Sequence, residues 1–163
     1  MDIQNVKIGA CTVTWDGDSI GHTKGGVEVS IETEKAEITV DETGTTIRDY
    51  SLLGQKMMVK VSLAESQIAN LGIALPMGES LLSGTKLKIG RVVGERFGTH
   101  GKVLSLRPLG ETTAANDIVL YNAVADGDVT IGYTNDEQRV IEVTFVALYD
   151  ETEEGLGHFG VTA

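Results

Sequence analysis

VEVSIETEKAEITV, residues 27–40, decides how this chain is read. Val27, Val29 and Ile31 alternate with Glu28, Ser30 and Glu32, and then Ala36, Ile38 and Val40 alternate with Glu37, Thr39 and Asp41. A period of two marks strands, because successive side chains on a strand point to opposite faces. The stretch predicts two half-buried strands. One face is apolar and the other carries Glu28, Glu32, Glu37 and Asp41. A solvated wall needs such a surface; a catalytic centre does not.

Downstream lies a polar excursion, DETGTTIRDYSLLG at residues 41–54, before a third apolar run at residues 56–63. Gly44 and Gly54 mark bends, and Thr45, Thr46 and Ile47 favour extended backbone. The expectation is a long protruding loop between strands, with Thr43, Gly44, Thr45, Thr46, Ile47, Arg48, Asp49 and Tyr50 at its projecting part. Upstream, Gly21, Gly25 and Gly26 permit backbone conformations closed to other residues. After Leu63 the period changes: Ala64, Ile68, Leu71 and Leu75 recur at three and four residues. That spacing predicts a helix over residues 64–74, with Ser62 as N-cap, Glu65 completing a capping box, and Pro76 and Gly78 ending it.

The ordered series Gly21-His22-Thr23-Lys24-Gly25-Gly26-Val27, Val40-Asp41-Glu42-Thr43-Gly44, Gly54 and Leu63-Ala64-Glu65 resembles the major tail tube protein of long-tailed, siphovirus-type bacteriophages. The likeness runs over the first half of the chain. It implies a mainly β, tail-tube-type sandwich or barrel with one flanking helix, and no cofactor. It further implies hexameric rings that stack into a tube joining capsid to tail tip, with the projecting residues 43–50 as the candidate ring-stacking loop. The implied partners are further copies of the chain, a tape measure protein, a tail terminator, and double-stranded phage DNA in transit but not specifically bound. The implied location is the virion tail, assembled in the host bacterial cytoplasm.

Composition agrees with a folded β-rich protein. The chain has 163 residues, 41% of them hydrophobic, with 20 glycines against two prolines, and this length suits one domain with its own core. Residues 1–149 are read as the β domain, and 150–163, DETEEGLGHFGVTA, as an acidic glycine-rich tail that orders only on assembly. No apolar run reaches the length of a membrane span, and MDIQNVKIGA lacks a basic-then-apolar leader. Cys11 is the only cysteine, which excludes an internal disulfide and a cysteine-rich zinc site.

Net charge is −11, which argues against gripping nucleic acid. It does not argue against a channel, since a cationic wall would hold each passing phosphate. Charge is also unevenly distributed. Residues 28–42 carry six acids and Lys35; residues 86–107 carry Lys86, Lys88, Arg91, Arg96, Lys102 and Arg107 against Glu95. Segments of opposite sign can make a chain complementary to copies of itself. Lys86, Lys88, Arg91 and Arg96 are the candidates for a basic contact between subunits, and the acidic strand face is the candidate lining of a bore.

Further strands are expected at residues 6–15, with Val13 and Trp15 inward, at 81–90 and 102–106, and in a closing meander at 116–124, 129–133 and 138–148. In the last, Ile141, Val143, Phe145 and Ala147 share one face. Reactive motifs are weak. Gly17-Asp18-Ser19-Ile20-Gly21 matches the G-x-S-x-G nucleophile elbow, but HTKGGVEV follows it where a helix should open. Asp16-Gly17-Asp18 and Asp126-Gly127-Asp128 do not continue into a calcium loop with its distal Glu. His22, His100 and His158 have no metal-ligand spacing. Catalytic, cofactor and metal residues are therefore read as none. The rival readings are the tube component of a contractile injection or type VI secretion system, and a small hydrolase or ligand-binding β-barrel using Ser19.

Overall fold

Residues 27–38 form one strand, not two. In the computed structural model, which describes residues 9–81, 84–90 and 93–161, β3 (Thr23–Ile38) pairs antiparallel with β4 (Asp49–Leu63) over almost its whole length. Thr33-Glu34-Lys35 contains no Gly, Pro, Asn or Asp, so nothing turns the chain there. The slip in the alternation shows the apolar positions changing face within one strand. The expected loop shrinks for the same reason: Asp49, Tyr50 and the residues up to Gly54 already belong to β4. Only residues 39–48 form the tip, where Asp41–Thr43 make a 3-10 turn and Arg48 N donates to Ile38 O at 2.9 Å.

The remaining elements are β1 (Cys11–Trp15), β2 (Asp18–Ser19), α1 (Ile68–Ala74), β5 (Glu79–Leu81), β6 (Lys86–Lys88), β7 (Lys102–Pro108), β8 (Ile118–Ala125), β9 (Ile141–Leu148) and β10 (Gly157–Phe159). The fold is mainly β and antiparallel, with one flanking helix. The main sheet runs β2-β1-β7-β8-β9-β4-β3, with β10 alongside β8, and β5-β6 form a separate hairpin. The sheet curls so that Val13 of β1, Leu104 of β7, Leu120 of β8, Val143 and Phe145 of β9, and Val59, Val61 and Leu63 of β4 share one core. Each of these is essentially inaccessible to solvent, and full burial of such a side chain stabilises by roughly 1.5–3 kcal/mol. Trp15 is half-buried and tilts 34° against the Phe145 ring, with centroids 5.1 Å apart.

Several boundaries differ from expectation. The first strand begins at Cys11, and residues 6–8 lie outside the described ones. The strand expected at 81–90 is the β5-β6 hairpin. Residues 129–133 form no strand: they run past the end of the sheet, where Val129 and Ile131 pack on the core without a ladder. The helix starts at Ile68 with Gln67 as its uncapped N-cap. Ser62 stays in β4 opposite Glu142. Glu65 turns back instead, accepting from His22 N at 3.1 Å and from Gln67 Nε2 at 3.2 Å, and so ties the approach to β3 to the approach to α1.

Residues 150–160 are not a separate tail. Asp150 and Gly155 pair across a tight turn, and β10 then lies along β8. A Cβ at Gly157 would collide with the Val119 carbonyl oxygen, so glycine permits this approach. Gly160 N donates to Asp117 O at 2.7 Å, and His158 Nδ1 meets the Tyr121 hydroxyl at 3.0 Å. Asp117 is buried, and Arg107 grips it through Nε at 3.0 and 3.1 Å and Nη2 at 2.6 Å. The low apolar content of 150–163 concealed this, because backbone pairing and a polar latch hold the segment.

Candidate assembly interface

β4 meets β9 only from Met58, opposite Val146, to Leu63, opposite Ile141. Residues 31–38 and 49–57 therefore continue past the β4–β9 ladder as a two-stranded arm. At about 3.3 Å per residue, the overhang is roughly 25 Å before the tip. The base of the arm is flanked by Tyr149, Leu156 and Phe159; farther out, among the described residues, its own two strands alone hold it. A two-stranded ribbon alone is marginally stable in water. This one also exposes Tyr50 (47%), Leu52 (62%) and Leu53 (67%), with Ile38 and Ile47 nearer the tip. Lys35 Nζ sits 4.3 Å from the Tyr50 ring centroid, which stiffens the ribbon. Leu53 is the extra residue where the ladder steps from Glu34–Gly54 to Lys35–Leu52, a bulge that increases local twist.

The four acids expected on one face are divided. Val27, Val29 and Ile31 turn toward the core side, and Glu28 and Glu32 turn away from it. Glu37 is an odd number of residues from both, so it falls on the opposite side, across from Tyr50. Asp41 lies in the 3-10 turn of the tip. Glu28 and Glu32 also stand directly opposite Lys60 and Lys56, and Lys60 Nζ is 3.8 Å from Glu142 Oε2. This face is a lattice of both signs. Sequence reading missed the lysines because their register against β3 depends on where the hairpin turns.

The expected projecting residues are found together: 43–48 at the tip and Asp49 and Tyr50 in the arm. The expected basic group is only partly assembled. Lys86 and Lys88 flank Leu87 on β6, and Arg96 precedes the 3-10 turn Phe97–His100; Arg91 lies outside the described residues. Lys102 pairs with Asp16 at 3.3 Å, Arg107 with Asp117, and His100 with Glu95 at 2.8 Å. Lys86, Lys88 and Arg96 are exposed and make no ion pair among the described residues.

Among the described residues β2 and β3 end the main sheet. β3 pairs with β4 alone among the described residues, so its other edge carries no ladder from them. Its irregular start holds Gly25 and Gly26 at φ 90, which suits only glycine. Between that edge and β1-β7 lies a cleft of about 440 Å³ lined by Cys11, Val27, Val29, Leu106 and Ile118. Burial raises the Cys11 thiol pKa, so the thiol stays protonated and unreactive near neutral pH. Neither a protein-family model nor a curated protein matches the chain.

Ser19 belongs to β2, after the Asp16-Gly17 turn, and its Oγ accepts from Gly21 N at 3.3 Å. The strand-turn-helix of a nucleophile elbow is not formed here, because β3 follows. Among the described residues no three His, Cys, Asp or Glu side chains gather as a metal site, and no helix is long and apolar enough to cross a membrane. Among the described residues the surface features that stand out are an arm with exposed apolar side chains, the outer edge of β3, and exposed Lys86 and Lys88.

Proposed function

We propose that the chain is the major tail tube protein of a long-tailed, siphovirus-type phage. In this reading it is a structural virion protein whose hexameric rings stack into the conduit for DNA ejection. The observation that carries the reading is the arm, which extends exposed leucines and a tyrosine well beyond the sheet that stabilises the rest of its own hairpin. Such surface on a lone monomer invites aggregation; covered by a neighbour, it becomes an interface.

Two further features support the reading. A β-barrel needs about 16–18 strands before it encloses an aqueous channel, so the eight-stranded main sheet of one chain is too small and a ring of copies is required. The outer edge of β3 gives neighbouring copies a place to continue a shared sheet. Function then belongs to the assembly, with no side chain performing a reaction. The tape measure protein and tail terminator set tube length and end, and DNA slides through without specific contact.

Negative-stain electron microscopy of the purified protein tests this. Hollow tubes or six-fold rings are expected at high concentration. A compact monomer that stays monomeric at every concentration overturns the proposal.

A further inference from the structure

β4 leads from the arm into α1, and its register against β9 fixes what lies at each end of the sheet. The arm overhangs past the Met58–Val146 pair. Beyond the Leu63–Ile141 pair lie α1, the β5-β6 hairpin and the segment after Ala125. At that second pole a groove of about 440 Å³ opens between α1, β6 and residues 127–131. Ile68, Leu71, Leu87, Ile89, Val129 and Ile131 line it, with Lys86 at its lip. Ile68 is 42% exposed and Ile89 72%, so the groove displays apolar surface.

We propose that this groove receives the arm of a second copy of the chain, with Tyr50, Leu52 and Leu53 against its aliphatic walls and Glu37, which shares the Tyr50 face, toward Lys86. The inference rests on the assembly reading and narrows it to one contact. The chemistry matches, since the arm exposes large apolar side chains and the groove is walled by them. The charges match as well: residues 31–53 carry six carboxylates against Lys35 and Arg48, whereas the β5-β6 hairpin carries Lys86 and Lys88 with Glu79 across from Lys88. Opposite charges around an apolar contact steer encounter and set register.

Placement excludes the remaining simple alternative. Arm and groove lie at opposite ends of one sheet, and the arm points away, so a copy cannot fill its own groove. The contact is head-to-tail, and each docked copy offers a fresh arm at one pole and a fresh groove at the other. Heterologous contacts of this kind propagate. Small-molecule sites instead fix their ligand with a few converging polar groups, and this groove is walled chiefly by aliphatic side chains.

Two double variants test the contact apart from any tube. Leu52→Asp with Leu53→Asp blunts the arm and leaves the groove; Ile68→Asp with Ile89→Asp blocks the groove and leaves the arm. All four positions are exposed, and thermal melts of both variants should show wild-type-like cooperative unfolding. Sedimentation of each alone should show monomer. Their mixture should show a 1:1 dimer at least tenfold tighter than self-association of either, weakening as salt is raised. No dimer in the mixture, or equal self-association of either variant alone, overturns the proposal. Wild-type tubes without the mixed dimer would preserve the tube function and remove this contact; the mixed dimer without wild-type tubes would do the reverse.

Discussion

The two halves of the β3-β4 hairpin are built from similar residues and meet opposite fates. At the root, Val59, Val61 and Leu63 are inaccessible, because β9 flanks β4 and the curled sheet closes over them. In the arm, Leu52 and Leu53 are about two-thirds exposed on the same strand. Apolar side chains stabilise a fold only where something covers them, so the root holds the monomer together while the arm, in the proposed assembly, waits for a neighbouring copy. The difference can be broken by removing one leucine from each half. Leu63→Ala should cost about 2–5 kcal/mol, as expected for a fully buried leucine, read as a lower denaturation midpoint in guanidinium. Leu53→Ala should shift that midpoint by no more than about 0.5 kcal/mol, typical of surface sites, yet reduce assembly. Equal destabilisation by the two would show that the arm is part of the monomer's core and end the comparison.

A second contrast sets the outer arm, held among the described residues by its own ladder, against the C-terminal strand, held beside a half-exposed arginine paired with a buried carboxylate. The Arg107 guanidinium holds the Asp117 carboxyl below its ordinary pKa, chiefly through its hydrogen bonds, against the opposing effect of burial. A depressed folded pKa stabilises above the unfolded carboxylate value of about 3.9, and that contribution disappears as pH falls through the folded value. Asp117→Asn should therefore lower the melting temperature near neutral pH and lose part of the acid-side slope that the wild type shows below about pH 4. Hydrogen exchange at β10 should rise in the variant and stay unchanged in the arm. An unaltered pH profile would remove the pair from the latch.

Much of this was legible in the residues, and the gaps have physical causes. Alternation identified the strand character of residues 27–38 and the buried face Ile141, Val143, Phe145 and Ala147, because burial on one side imposes a period of two. The helix was visible from Ile68, Leu71 and Leu75. Its start was misplaced because Ser62 and Glu65 fit a capping box by type, while tertiary pairing held Ser62 in β4. Phase alone could not tell a turn at 33–35 from a strand whose apolar face switches. The order of residues 150–160 was not legible at all, since it rests on Gly157 packing against a carbonyl and on Asp117, which lies some forty residues away in the chain. Of the interface, the projecting residues could be read locally. The groove could not, because α1, β6 and residues 127–131 converge only in three dimensions.

A charge reversal with only a modest effect on stability separates the two faces of β3 itself. Glu28 and Glu32 lie opposite Lys60 and Lys56, so reversing both acids to lysine sets like charges across the ladder. Opposed like charges in a sheet destabilise by about 0.2–1 kcal/mol per pair, which leaves the fold and the arm intact. If this face lines the bore, four lysines would then meet the passing phosphates on every copy. Ring stacking should survive in electron micrographs while DNA ejection slows or stops. Glu37→Lys supplies the control, since it adds one base on the opposite side of β3, across from Tyr50. It should weaken assembly and leave ejection normal in those tubes that form. Unchanged infectivity in the Glu28, Glu32 double variant would place that face outside the bore, where a lattice of Glu and Lys is solvated wall and nothing more.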